Sequence, residues 1–384
     1  MIRVLVIVGT RPEAIKMAPI VLAARQPDSA IEPLVGLTGQ HPTIAADALG
    51  VFGIEADFAL PPTPHGGDLC TQTGAMIQAI GKVIDAHGPD VVLVQGDTLS
   101  AYAGGLAAAL RRVTVGHVEA GLRSGNLDDP FPEELARRQL THLSRLHFAP
   151  TVRAVDNLRA EGVHPNRVHL VGNTVIDALH RMRSRVGNER DEAFTVLVTA
   201  HRRENWGTRM DRICAAVAAL ARRNTSWRFV FSLHPNPVLQ RQVRAALDSC
   251  KPVRFVVSTA YDQWVRRLVR CSMILTDSGG MQEEGCALGR PVLVLRDVTE
   301  RPEAVSAGSA LLVGTDPRRI VAQAERIAHD AVLYRRMATP RTLFGDGHAG
   351  RRIVRIITRR HQPRNVVPVS GGVAVGDVAP TFHG

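Results

Sequence analysis

The sequence predicts an α/β protein built from two doubly wound domains with parallel sheets. Two features of the 384 residues predict it. Apolar, strand-like runs alternate with helical patterns along nearly the whole chain, as parallel sheets covered by helices require. The alternation comes in two successive sets, and the chain is longer than one hydrophobic core usually supports. Residues able to do chemistry also gather where the strands end, and in doubly wound folds ligands bind in the crevice beyond those ends.

Taken in order, the first set predicts strands over 3–8, 32–38, 90–95, 113–118, 145–149 and 167–171, with helices near 12–25, 68–87, 98–111, 132–143 and 151–161. Its opening run, Val4 to Val8, is apolar without interruption and reads as a buried strand. Gly9-Thr10 ends it, and Pro12 suits the first helical turn, where a missing N–H costs nothing. Arg11 and Lys16 then stand at a helix N-terminus, beside backbone N–H groups that have no intrahelical partner, which is local chemistry for a phosphate. The second set predicts strands over 194–199, 228–233, 272–276, 291–295 and 310–313, and helices near 209–222, 237–248, 261–270, 280–288 and 317–328. A hinge is expected between Gly172 and Val186, where a helix-like stretch leaves the last strand of the first set. The expected units are 1–172 and 173–348, with an arginine-rich helix near 349–361 crossing back onto the first domain. Residues 362–384, rich in Val, Gly and Pro without helical periodicity, read as a disordered tail.

Composition narrows the function. Hydrophobic residues make up 45% of the chain, and no apolar run approaches the ~20 residues that span a bilayer. The first apolar run is too short for a signal sequence, so a cytoplasmic protein without membrane insertion is expected. The net charge of +11 comes from arginine, since the only lysines are Lys16, Lys82 and Lys251. A nucleic-acid binder would concentrate that charge in a patch interleaved with aromatics. Here the arginines are dispersed and aromatics are only 4%, which favours a small anionic substrate and no nucleic acid. Five cysteines with no CxxC pair and no histidine at zinc spacing read as reduced, mostly buried thiols. No HExxH and no dense Asp cluster announces a metal.

The strand ends supply the candidates. Gly96-Asp97-Thr98 follows one strand; Asp97 could simply cap the next helix, or offer a carboxylate to the crevice. Glu119 follows another strand directly, with Gly121 permitting a sharp turn, a placement hard to justify as packing. Glu133 and Glu134 open a helix, where the dipole alone would favour them. His201 stands beside Arg202 and Arg203 at the end of the second set's first strand, a place for acid–base work or phosphate contact. Ser278-Gly279-Gly280 is a strand-to-helix loop whose glycines let phosphate approach backbone N–H groups. Glu284, in the following helix, could accept from ribose hydroxyls, and Arg301-Pro302 echoes Arg11-Pro12.

Together these segments resemble the bacterial non-hydrolysing UDP-N-acetylglucosamine 2-epimerases. The matching stretches are GTRPEAIKMAP, VQGDT, GHVEAGLRSG, PFPEE, FAPT, VGNTVIDAL, AHRREN, HPNP, LTDSGGMQEE, PVLVLRD, TERPEA and FGDGHA, in family order from residue 3 to about 347. The resemblance implies the GT-B architecture, two Rossmann-like domains with the ligand in the cleft. It also implies a homodimer that interconverts UDP-GlcNAc and UDP-ManNAc without metal or nicotinamide, eliminating UDP to 2-acetamidoglucal and adding it back. Carried over by motif, Asp97, Glu119 and Glu133 become the acid–base candidates and His201 the helper of the leaving diphosphate. Arg11, Lys16 and Arg301 would bind the anion, Ser278, Gly279 and Gly280 its phosphates, Glu284 the ribose, and Trp264 the uracil, although a tryptophan in a helix can equally be core. The chain departs from the family at Ala136, where members usually carry Asn, and at Pro42-Thr43, after the Gln40-His41 that in many members begins an activator-binding segment. The alternatives are a hydrolysing epimerase, a GT-B glycosyltransferase, or a nucleotide-sugar binder without catalysis.

Overall fold

The computed structural model describes residues 1–61, 68–257 and 260–361. The expected tail, 362–384, lies outside them. The apolar run at the N-terminus is β1 (Ile2–Val8), buried from Val4 onward. The strands of the first sheet that follow are β2 (Ile31–Leu37), β3 (Phe58–Ala59), β4 (Val91–Gln95), β5 (Thr114–Val118), β6 (Leu146–Ala149) and β7 (Val168–Leu170). The sheet is parallel throughout, in the order β3-β2-β1-β4-β5-β6-β7. Its helices are α1 (Arg11–Ala24), α2 (Pro42–Gly50), α3 (Leu69–His87), α4 (Leu99–Leu110), α5 (Glu133–Leu143) and α6 (Val152–Ala160).

After α7 (Thr174–Val186), the second sheet uses β8 (Thr195–Thr199), β9 (Arg228–Ser232), β10 (Val253–Val256), β11 (Met273–Thr276), β12 (Val292–Val294) and β13 (Ala310–Leu312). Its order is β10-β9-β8-β11-β12-β13, again all parallel. Around it run α8 (Thr208–Arg223), α9 (Pro237–Leu247), α10 (Tyr261–Arg270), α11 (Gly279–Leu288), α12 (Pro302–Ser306), α13 (Pro317–His329) and α14 (Ala331–Met337). The last helix, α15 (Ala349–His361), returns to pack on α1. Gly350 makes that approach possible, since a Cβ there would stand 2.8 Å from the carbonyl oxygen of Pro19.

Each expected strand and helix is present, with its ends shifted by no more than one residue. Among strands and α-helices, the sequence reading missed five short ones: α2, β3, β10, α12 and α14. Lengths of two to nine residues carry too little periodicity to stand out, and tertiary pairing decides them. α7 packs against α1 and α15 on one side and against α10 and α11 on the other. One apolar cluster therefore runs from Val4 and Val6 through Ile176 and Leu179 to Val265 and Ile274, joining the two sheets. All five cysteines are free thiols, three of them fully buried. No helix among the described residues is long and apolar enough to cross a membrane.

Candidate active site

Both sheets reverse their winding direction, the first between β1 and β4 and the second between β8 and β11. Crevices open at such switch points. Arg11 follows β1, Asp97 follows β4, His201 follows β8, and Ser278 follows β11, so four of the twelve site residues expected from sequence flank the two switch points.

Glu119 sits just beyond β5 at φ +63°, in the left-handed region that a residue with a Cβ seldom adopts. Holding it there costs on the order of 1–2 kcal/mol, and such strain collects at functional sites. Its side chain is buried and accepts from Lys16 Nζ, from Gln95 Nε2 at 3.1 Å and from Asn173 Nδ2 at 3.0 Å. Arg301 reaches it from the second domain at 3.3 Å. Burial alone would push the Glu119 carboxyl up, but the charges of Lys16 and Arg301 outweigh it and hold the group below the ordinary glutamate value.

Asp97 does not cap α4. Thr98 does, accepting from Ala101 N at 3.0 Å, and the Asp97 carboxylate instead pairs with the buried Arg137 guanidinium. Arg137 also pairs with Glu134 at 3.2 Å, and Glu134 accepts from Ser124 N at 3.0 Å. Glu134 is thus spent on structure. Its neighbour Glu133 has a buried Oε2 with no hydrogen-bond partner among the described residues.

In the second domain, the backbone N–H groups of His201 and Arg202 both donate to Asp277 at 2.9 Å. Ser278 stands at the N-cap of α11, yet its hydroxyl does not cap the helix. Gly279 lets Arg301 lie across the helix start: a Cβ there would be 2.7 Å from the guanidinium carbon. A Cβ on Gly280 would meet only open space. Glu284 is buried and accepts from the Tyr261 hydroxyl at 2.7 Å. Burial pushes its carboxyl up to about 7. Arg11 is close enough for its charge to be felt by Glu284 and Tyr261. Trp264 is half-buried and packs against the apolar cluster that joins the sheets.

The chain as a whole is similar to known proteins. The family model of UDP-N-acetylglucosamine 2-epimerase matches residues 23–358. A UDP-N-acetylglucosamine 2-epimerase of Yersinia pestis is 42% identical over 94% of this chain and 99% of its own. The chain belongs to the UDP-N-acetylglucosamine 2-epimerase family. The Escherichia coli K12 enzyme is 41% identical over 92% of this chain and 97% of its own. A crystal structure of the Neisseria meningitidis UDP-GlcNAc 2-epimerase bound to UDP-GlcNAc superposes with a TM-score of 0.88, at 38% identity, over 93% of this chain and all of that one. The Methanocaldococcus jannaschii enzyme, in complex with UDP-GlcNAc and UDP, gives 0.79 at 33% identity over the same share of each chain. The fold is the GT-B type expected from the motifs.

Three buried groups of the epimerase escaped the sequence reading. Asn173 donates to Glu119 at 3.0 Å and to Glu283 at 2.6 Å, while its Oδ1 accepts from Val175 N at the start of α7. Glu283 also accepts from Arg301 Nε at 2.8 Å. Glu13, in the first turn of α1, accepts from Gly9 N at 3.0 Å and from Thr98 Oγ1 at 2.6 Å, and burial pushes it up to about 7. It ties the loop after β1 to the loop after β4. Both glutamates lie inside quoted motifs, but each stands in a helix that already holds a better-placed candidate. Asn173 lies in the quoted VGNTVIDAL stretch, where nothing in the sequence singles it out.

Proposed function

We propose that this chain interconverts UDP-GlcNAc and UDP-ManNAc without hydrolysis, through elimination and re-addition of UDP. The C2 proton of the sugar is taken by a carboxylate while the C1–O bond breaks. Its electron pair leaves on the β-phosphate oxygen, and C1 and C2 become doubly bonded as 2-acetamidoglucal. Return of the phosphate oxygen to C1, with a proton delivered to the other face of C2, gives the epimer. Two facial proton transfers call for more than one carboxyl group, and we assign them among Asp97, Glu119 and Glu133. The departing diphosphate calls for fixed positive charge, supplied by Arg11, Lys16 and Arg301, with His201 facing the leaving oxygen. Ser278, Gly279 and Gly280 take the phosphates, Glu284 the ribose and Trp264 the uracil. We place the domain boundary at 172/173 and take the working form to be a cytoplasmic homodimer.

One observation carries the reading: Lys16 from the first domain and Arg301 from the second converge on the same strained, buried carboxylate. A bound diphosphate competes for those two cations. As they turn toward it, Glu119 loses the charges that hold its proton affinity down and becomes a stronger base. The test is proton NMR of UDP-GlcNAc incubated with the protein in D2O. Growth of UDP-ManNAc with deuterium at C2 is expected. Free ManNAc with UDP would show a hydrolysing enzyme, transfer to an added sugar a glycosyltransferase, and an unchanged spectrum would overturn the activity.

A further inference from the structure

Asp277, between β11 and α11, is fully buried, and its two oxygens are used unequally. Oδ2 accepts three hydrogen bonds: from the backbone N–H of His201 and of Arg202, each at 2.9 Å, and from Asn205 Nδ2 at 3.0 Å. Oδ1 is buried and accepts none among the described residues. A buried carboxylate oxygen without a donor is costly and calls for an explanation. The group before it is Nδ1 of His201, 3.8 Å away. An approach of about 1 Å brings that pair to hydrogen-bond distance. The imidazole has room for it, with 44% of its side chain exposed. Also near it among the described residues are His234, whose ring lies nearly parallel with centroids 6.2 Å apart, Trp206, whose indole donates to the His201 carbonyl at 3.1 Å, and the adjacent Arg202, whose charge is matched by Glu300 at 3.5 Å.

We propose that Asp277 is a positioning residue that acts through His201: its Oδ1 accepts from Nδ1–H and so leaves Nε2 to face the diphosphate oxygen in the cleft. The hydrogen bond on one ring nitrogen decides the state of the other. A ring held at Nδ1 by a carboxylate can carry a proton on Nε2 as well, with Asp277 balancing the charge and gaining no proton itself. The backbone bonds to Oδ2 fix the loop, and the second oxygen sets the ring, so one side chain aligns both. This rests on the proposed role of His201 in the departure of UDP.

Asp277→Asn tests it, because an Asn oxygen can keep the three donors while its NH2 replaces Oδ1 opposite the ring. In protein labelled with 15N-histidine and saturated with UDP at alkaline pH, wild-type His201 is expected to carry its proton on Nδ1. In D277N the proton moves to Nε2. In the epimerisation assay, kcat of D277N falls at least about tenfold with KM near the wild-type value. On a His201→Gln background the same change costs nothing further. An unprotonated Nδ1 in the wild-type UDP complex overturns the proposal, and so does a loss that multiplies with that of H201Q. Thermal melts and UDP binding of D277N separate a folding defect from either result. Should the wild-type chain make no UDP-ManNAc, the functional reading fails, and the NMR comparison still decides the pairing.

Discussion

At the residue scale, the site is a contest over a few buried charges. Glu119 is stabilised as an anion by Lys16 and Arg301, which are also the groups we assign to the diphosphate. Glu119→Gln keeps the shape and removes the proposed base. We expect it to lower kcat by about 10²–10⁴ while UDP binding, measured by calorimetry, is kept or tightened, because two cations are released from a competitor. Equal losses of turnover and of UDP affinity would instead make Glu119 a binding residue. Glu119 was legible in the sequence because a carboxylate on a glycine-flanked turn after an apolar strand has no packing purpose. Glu283 and Asn173 were not, since their roles depend on the second domain arriving beside the first. Sequence spacing does not contain that fact.

At the scale of elements, the strands β4 and β5, which lead to Asp97 and Glu119, lie with β6 around a pH liability. His117 on β5 is fully buried and its Nε2 lies 2.7 Å from the Gly96 carbonyl oxygen, beside Asp97. Burial holds it down at about 4. Its register partner on β6, His147, is held down at about 3, by burial first and by His117 next. A histidine whose folded value is depressed stabilises the fold fully above the unfolded value near 6.5. That contribution is lost as the pH falls from about 6.5 to about 4, and for His117 it is on the order of 3 kcal/mol. His117→Gln, which can still donate to Gly96, should reduce by about one the protons taken up on unfolding, read from urea titrations at pH 5 and pH 8. An unchanged pH dependence would show that His117 is not the group responsible. The long elements were legible from their periodicity. β10, four residues long after Lys251-Pro252, was not, because only its pairing with β9 makes it a strand.

At the scale of the whole molecule, the two sheets share an apolar cluster through α7, and α15 returns across α1. They should therefore unfold together. All three tryptophans, Trp206, Trp227 and Trp264, belong to the second half, so their fluorescence reports that half while far-UV circular dichroism reports both. The two signals are expected to coincide on heating, and UDP at about 100 times its Kd should add about 2.7 kcal/mol to both. Separate transitions, or a shift of the fluorescence alone, would mean that the sheets are independent and that UDP is held by one. The two parallel sheets were readable from the doubled alternation of elements. The degree of coupling was not: the stretch between Gly172 and Val186 could be read as a helix, but nothing in its sequence shows that α7 packs on both halves.

Asn173 has a further consequence for what this chain can tolerate. Its side chain meets three demands at once: it accepts at the start of α7 and gives one bond to a carboxylate from each half. An amide of this length has the two donors and the acceptor required. Aspartate would keep the acceptor and set a third negative charge between two others; serine would keep the cap and lose a donor; glutamine would keep the groups and carry them a methylene too far. Exchanges that count as mild elsewhere are severe here, and a mutational scan should find this quiet helix cap as intolerant as the carboxylates it serves.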